Sequence, residues 1–118
     1  MNRVLALLTF LTSAAPVFAE APEVTDARAS KSGDTWRFDV TLLHPDTGWD
    51  HYADGWRVEL NDGTVLTTRV LTHPHVNEQP FTRSQSGVKI PEGTQTVYIR
   101  SRCIVDGWSD GVFALELE

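Results

Sequence analysis

The chain has 118 residues and a formal net charge of −6 at pH 7, from 16 acidic and 10 basic side chains. This length is that of one small domain. The acidic balance, with no cluster of Lys or Arg, argues against nucleic acid and anionic membrane as partners. Cys103 is the only cysteine, so no internal disulfide can form, and Met1 is the only methionine, so a copper site elsewhere in the chain could not use thioether ligands.

The N-terminus predicts export. Residues 1–19 have the pattern of a cleavable signal peptide, with a basic start, an apolar run at 4–11 and a small-x-small site at 17–19. The apolar run is much shorter than the roughly 20 residues that span a bilayer. We therefore expect a single domain over residues 20–118, a periplasmic location and no membrane insertion after cleavage. No cysteine directly follows the apolar run, so lipid attachment is not expected.

Period-two alternation marks the strands of the first half. Segment 35–42 places one face inward, formed by Trp36, Phe38, Val40 and Leu42. Segment 56–60 alternates in the same way, and the Asn-Asp-Gly turn at 61–63 joins it to a second apolar segment. Before both segments, 23–34 predicts a first strand ending in a turn.

The second half continues the same pattern. A turn at 91–93 precedes a strand whose inward face is formed by Val97, Ile99, Ser101 and Cys103, and the final strand turns Phe113, Leu115 and Leu117 inward. Cys103 is thus expected to be a buried small side chain and not a reactive thiol. Since no helical stripe appears, about seven short strands predict an all-β, two-sheet antiparallel sandwich.

The end of the chain adds a family resemblance. Segment 96–117, with alternating Arg100 and Arg102, a Gly-Trp-Ser turn and a last apolar strand, resembles the closing hairpin of a fibronectin type III domain, an immunoglobulin-like fold. The resemblance implies that fold. It implies little about activity, because such domains host many functions.

The predicted connectivity gathers every histidine at one end of the sandwich. Alternate connections of an antiparallel sandwich lie at the same end. Segments 44–55, 72–80 and 105–111 are alternate connections, so all three are predicted to lie at one end. The first two of these contain His44, His51, His73 and His75. Loops carry function more often than core strands do, so this end is the candidate site.

The spacing of the histidines favours a metal site. His73 and His75 flank a proline, and residues two apart in an extended segment point the same way, which suits two ligands of one ion. His51 or His44 would supply a third nitrogen, and Asp50, Glu78 or water a fourth ligand. A nitrogen-rich set of this kind suits zinc or cupric copper.

Aromatic residues at the same end support an alternative function. Trp49, Tyr52 and Trp108 belong to or flank these loops, and aromatic side chains dominate recognition surfaces for proteins and sugars. In this alternative the histidines are structural, and the domain binds a cell-envelope protein or glycan without catalysis.

Catalysis is the least favoured interpretation. Segment 107–111 matches G-x-S-x-G, but it lies between two antiparallel strands, where a nucleophile elbow needs a strand-to-helix turn above a parallel sheet. A hairpin turn explains it better. No catalytic residue is predicted, and we expect a protein that is not an enzyme.

Overall fold

The computed structural model describes residues 21–118, and the predicted signal peptide at 1–19 lies outside the described residues. Between residues 21 and 118 the chain forms strands and loops without any helix, so this part holds no helix that could cross a membrane. The strands are β1 Glu23–Ser32, β2 Thr35–Leu43, β3 Ala53–Glu59, β4 Val65–Val70, β5 Phe81–Val88, β6 Thr96–Cys103, β7 Gly107–Trp108 and β8 Phe113–Glu116.

The strands form two antiparallel sheets. The first has the order β1-β2-β5, and the second has the order β4-β3-β6, with β7 and β8 both pairing with β6. The predicted all-β arrangement in two antiparallel sheets is confirmed. Eight strands replace the expected seven because the closing strand is interrupted between Trp108 and Phe113.

The two sheets enclose one apolar core, as the alternation of each strand predicts. The buried side chains from both sheets include Phe38, Val40, Leu42, Trp56, Val58, Val97 and Ile99. Phe113, Leu115 and Leu117 pack against this cluster from the closing strand. Full burial of one such large side chain contributes about 1.5–3 kcal/mol to the free energy of unfolding. The domain has no disulfide, so its stability depends on this apolar burial.

The strand register brings three connections to one end of the two sheets. Ala53, the first residue of β3, pairs with Cys103, the last residue of β6. Connections 44–52, 71–80 and 104–106 meet there, and we call them together the histidine end. Ser109 does not lie with them, because its amide donates to the Ser101 carbonyl at 2.9 Å, part of the way back along β6.

Candidate metal centre

Three side chains from distant parts of the chain meet at the histidine end. His44, His51 and Cys103 each direct one metal-binding atom toward the others, and these atoms all lie within 4.8 Å of one another. It is the only group of three or more His, Cys, Asp or Glu with this spacing within residues 21–118. Two imidazoles and one thiol therefore form a compact donor set between the ends of the two sheets.

The strands hold two of these side chains, and a tight turn holds the third. His44 directly follows β2 and Cys103 is the last residue of β6, so each is fixed by its own sheet. His51 pairs with Gly48 across a short turn and accepts a backbone hydrogen bond from Thr47 at 3.0 Å. The rings of His44 and His51 meet edge to face, with centroids 4.8 Å apart.

All three donor residues are at least partly buried, and each histidine has a buried nitrogen without a hydrogen-bond partner in the described residues. His44 is 1% exposed and Cys103 is 0% exposed. The Nε2 atoms of His44 and His51 are both buried, and neither has a partner within the described part of the chain. A buried polar atom without a partner costs free energy, so such an atom calls for a physical explanation, and a bound ion is one.

Asp46 orients the first of these imidazoles. Its Oδ1 lies 2.6 Å from Nδ1 of His44 and accepts from the Ala53 amide at 3.0 Å, while its Oδ2 accepts from the His75 amide at 2.8 Å. A carboxylate can only accept, so in neutral His44 the proton is on Nδ1 and the lone pair is on Nε2. A carboxylate on the far nitrogen of a metal-binding histidine fixes its tautomer and ring orientation in this way.

The structure does not bring His73 and His75 into this group. Their rings are neighbours, with centroids 4.5 Å apart, but the His75 ring stacks on Phe81 at 3.9 Å and its Nε2 accepts from the Arg83 guanidinium at 2.8 Å. Burial, and then the charge of Arg83, lower the pKa of His75. His73 is exposed, and its Nδ1 lies 3.0 Å from the Pro74 carbonyl. Their role as ligands stays a prediction.

The two predicted carboxylate ligands also lie outside the group. Asp50 is exposed in the turn before His51. Glu78 is exposed as well, and its carboxylate lies 3.5 Å from the Arg83 guanidinium. His44, His51 and Cys103 form a group without them, and the role of Asp50 and Glu78 as ligands stays a prediction.

The three aromatic residues proposed for partner binding have different environments. Trp49 is 67% exposed, and its ring meets that of Tyr52 edge to face at 5.8 Å. Trp108 lies on β7 instead, half-buried over the outer face of the second sheet, with the Arg57 guanidinium 4.1 Å and the Arg102 guanidinium 5.7 Å from its ring centre. Trp49 and Tyr52 thus belong to the histidine end, whereas Trp108 is held in a cation–π stack.

Sequence reasoning missed Cys103 as a donor. The prediction that its side chain is buried is confirmed, but the thiol also lies beside two histidine nitrogens. The sequence feature that could have indicated this role is the position of Cys103 at the end of its strand. An inward residue at the last position of β6 faces the loops that contain His44 and His51.

Comparisons with known proteins add a relative and a fold. The chain is 38% identical over 99 residues to a protein of Halomicrobium mukohataei named "Putative lipoprotein". The match covers 84% of this chain and 48% of the relative, so the chain spans about half the length of the relative that it matches. No protein-family model matches the chain.

Two solved structures share the fold. A hypothetical protein of Pyrococcus horikoshii superposes with a TM-score of 0.57 at 14% identity, over 86% of this chain and 93% of that one. A superoxide reductase in its oxidised state superposes with a TM-score of 0.55 at 14% identity, over 86% of this chain and 92% of that one. At this identity the likeness concerns the all-β fold alone.

Proposed function

We propose that the protein binds one transition metal ion, zinc or copper, through Nε2 of His44, Nε2 of His51 and the thiolate of Cys103. The observation that carries the proposal is that two histidines with buried, partnerless nitrogens each offer a ligand atom within 4.8 Å of that of the buried Cys103. Asp46 supports it, because the carboxylate accepts a hydrogen bond from the Nδ1 proton of His44 and leaves the lone pair on Nε2, the nitrogen without a partner.

The chemistry of the donors restricts the ion. Imidazole nitrogen suits zinc, copper, iron and nickel, whereas a thiolate favours zinc and copper among simple ions. Oxygen-seeking calcium and magnesium are poor candidates for such a set. Binding would deprotonate the Cys103 thiol, because a coordinating thiol is held as the thiolate.

The proposal includes an extracytoplasmic, periplasmic location and a binding role without catalysis. The similarity to a protein named as a lipoprotein supports an envelope location, as does the apolar N-terminal segment at 4–11. A non-enzymatic role remains the prediction made from the sequence.

We also propose that the fold is of the immunoglobulin or fibronectin type III kind. The support is the strand order, in which β1, β2 and β5 form one sheet and β3, β6 and β8 share the other. These are the positions of strands A, B and E and of strands C, F and G in such sandwiches.

Metal titration of the purified protein tests the proposed function. We expect zinc or cupric ion to bind with a stoichiometry of one and to raise the melting temperature. Binding adds RT ln(1 + [L]/Kd) to the free energy of unfolding, about 2.7 kcal/mol when the free ion is at a hundredfold excess over Kd. Cys103→Ser should remove most of this rise while keeping a similar melting temperature without metal. Unchanged melting with every first-row divalent ion would contradict the proposal.

A further inference from the structure

The exposed apolar side chains are concentrated at the histidine end. Residues 21–118 have eight large hydrophobic side chains that are exposed. Two of them, Val65 and Val112, lie elsewhere. The other six lie within the histidine end or at the last residue of a strand that enters it: Leu43, Trp49, Val70, Val76, Ile104 and Val105. Apolar side chains grouped at one end of a small domain are typical of an interaction surface.

Contacts place part of this apolar surface directly beside the donor set. Trp49 packs on Tyr52, and the Ile104 amide donates to the Tyr52 carbonyl at 3.0 Å. His51 lies between Trp49 and Tyr52 in the chain, and Ile104 follows Cys103. The two apolar residues therefore flank two of the three candidate donors.

The charges at this end are mostly negative. Connections 44–52, 71–80 and 104–106 contain no Lys or Arg. Their exposed acidic residues are Asp50, Glu78 and Asp106. One cation reaches them from β5, the Arg83 guanidinium, which lies 3.5 Å from the Glu78 carboxylate. With three carboxylates against one guanidinium, the surface is apolar and net acidic, and its potential attracts a cationic partner and repels an anionic one.

We propose that the histidine end is the docking surface for a partner protein whose own contact face carries Lys and Arg around an apolar centre. The negative charge argues against a second copy of this chain, since a symmetric contact would place Asp50 and Asp106 of one copy near those of the other. The same charge argues against an anionic membrane. The link to the donor set rests on the proposed function, because a partner docked here would sit beside the metal and could deliver or receive it.

A charge-matched pair of variants tests the docking surface on metal-free protein. The probe is reduced cytochrome c, a small basic protein, added to the nitrogen-15-labelled chain at low ionic strength while amide shifts are recorded. We expect the shifted amides to lie in 44–52, 71–80 and 104–106, and the shifts to vanish at about 0.5 M salt, where the Debye length is only about 4 Å.

The triple variant Asp50→Asn, Glu78→Gln, Asp106→Asn should weaken this binding about tenfold. Its control removes the same charge from the opposite end, by Asp34→Asn, Glu92→Gln and Glu118→Gln, and should weaken binding less than about twofold. Shifts spread over both ends, equal effects of the two triple variants, or no binding at low salt would each overturn the proposal.

A second arm isolates the apolar contribution. Trp49→Ser should weaken binding several-fold, whereas Val65→Ser, a change at an exposed site outside this end, should leave it unchanged. Equal affinities for these two variants would overturn the apolar part of the surface. A separate zinc titration of the same samples distinguishes the two proposals, because docking without zinc binding contradicts only the metal site, and zinc binding without docking contradicts only the surface.

Discussion

Two pairs of histidines lie at the same end of this molecule and differ in what their nitrogens contact. His44 and His51 each keep one buried nitrogen without a partner in the described residues, and both offer a ligand atom within 4.8 Å of that of Cys103. His75 also keeps one buried nitrogen, Nδ1, without a partner in the described residues, but its Nε2 accepts from Arg83 and its ring stacks on Phe81, and His73 lies at the surface. The difference shows that a gathering of histidines does not define a metal site. Free nitrogens define one only where other donor atoms lie close enough to share an ion, as they do around Cys103.

The largest expected effect separates the two pairs by metal affinity. His51→Ala removes a proposed ligand and should weaken zinc binding by at least about 100-fold, more than the loss typical of an outer-shell partner. His73→Ala, the matched control in the neighbouring loop, should change the affinity less than about threefold. Competition with a chromophoric chelator measures both. Equal losses of zinc affinity in the two variants would contradict the assignment, because both pairs of histidines would then contribute to the metal site.

Asp46→Asn should give the second-largest effect on metal binding. The amide is a weaker acceptor for the Nδ1 proton of His44, so the ring is held less firmly and zinc affinity should fall about 10–100-fold. Asp50→Asn is the control, because Asp50 is exposed and close in sequence. An Asp46→Asn protein that folds and keeps the original affinity would contradict the orienting role of this carboxylate.

His75→Ala should act on stability and not on metal binding. The change removes the stack on Phe81 and the acceptor for Arg83, and we expect a loss of about 1–3 kcal/mol in the free energy of unfolding without metal. Urea denaturation measures it, with His73→Ala as the exposed control. If zinc affinity fell as far in His75→Ala as in His51→Ala, the structural assignment of His75 would be wrong.

The smallest expected effect is a pH dependence that comes from His75. Burial, then Arg83 and His73, lower its pKa, while Glu78 and Asp46 oppose them, so the folded state favours the neutral ring. The unfolded chain, with a pKa of about 6.5, binds the proton more readily. The stability from this group is therefore complete above about pH 6.5 and is lost as the pH falls toward the lowered value. His75→Gln should flatten this part of the stability curve measured without metal. An unchanged slope would contradict the shift.

Much of the fold could be predicted from local patterns. Alternation in β2, β3 and β6 set which side chains face inward, and Phe38, Trp56 and Ile99 are fully buried as predicted. Strand β5 was harder to place, because Thr82, Arg83, Ser84 and Gln85 carry no apolar alternation. It is held by pairing with β2, where Thr82 lies opposite Thr41. The sequence of β5 alone does not predict this pairing.

The candidate site could be predicted only in part. Antiparallel connectivity placed His44 and His51 at one end, and that inference needed only the number of strands. Cys103 was missed because a lone cysteine on an apolar face is usually a core residue. Asp46 could not be recognised either, since its three hydrogen bonds reach residues as far away as His75. Such contacts depend on how the loops pack, which no short motif encodes.

Cobalt(II) titration followed by absorption spectroscopy tests the central claim most directly, because cobalt occupies zinc-type sites and reports a bound thiolate by ligand-to-metal charge transfer. We predict one cobalt per chain with a charge-transfer band that disappears in Cys103→Ser and is retained in His73→Ala. Cobalt binding without that band, or a band that survives the loss of Cys103, would contradict a site built from His44, His51 and Cys103.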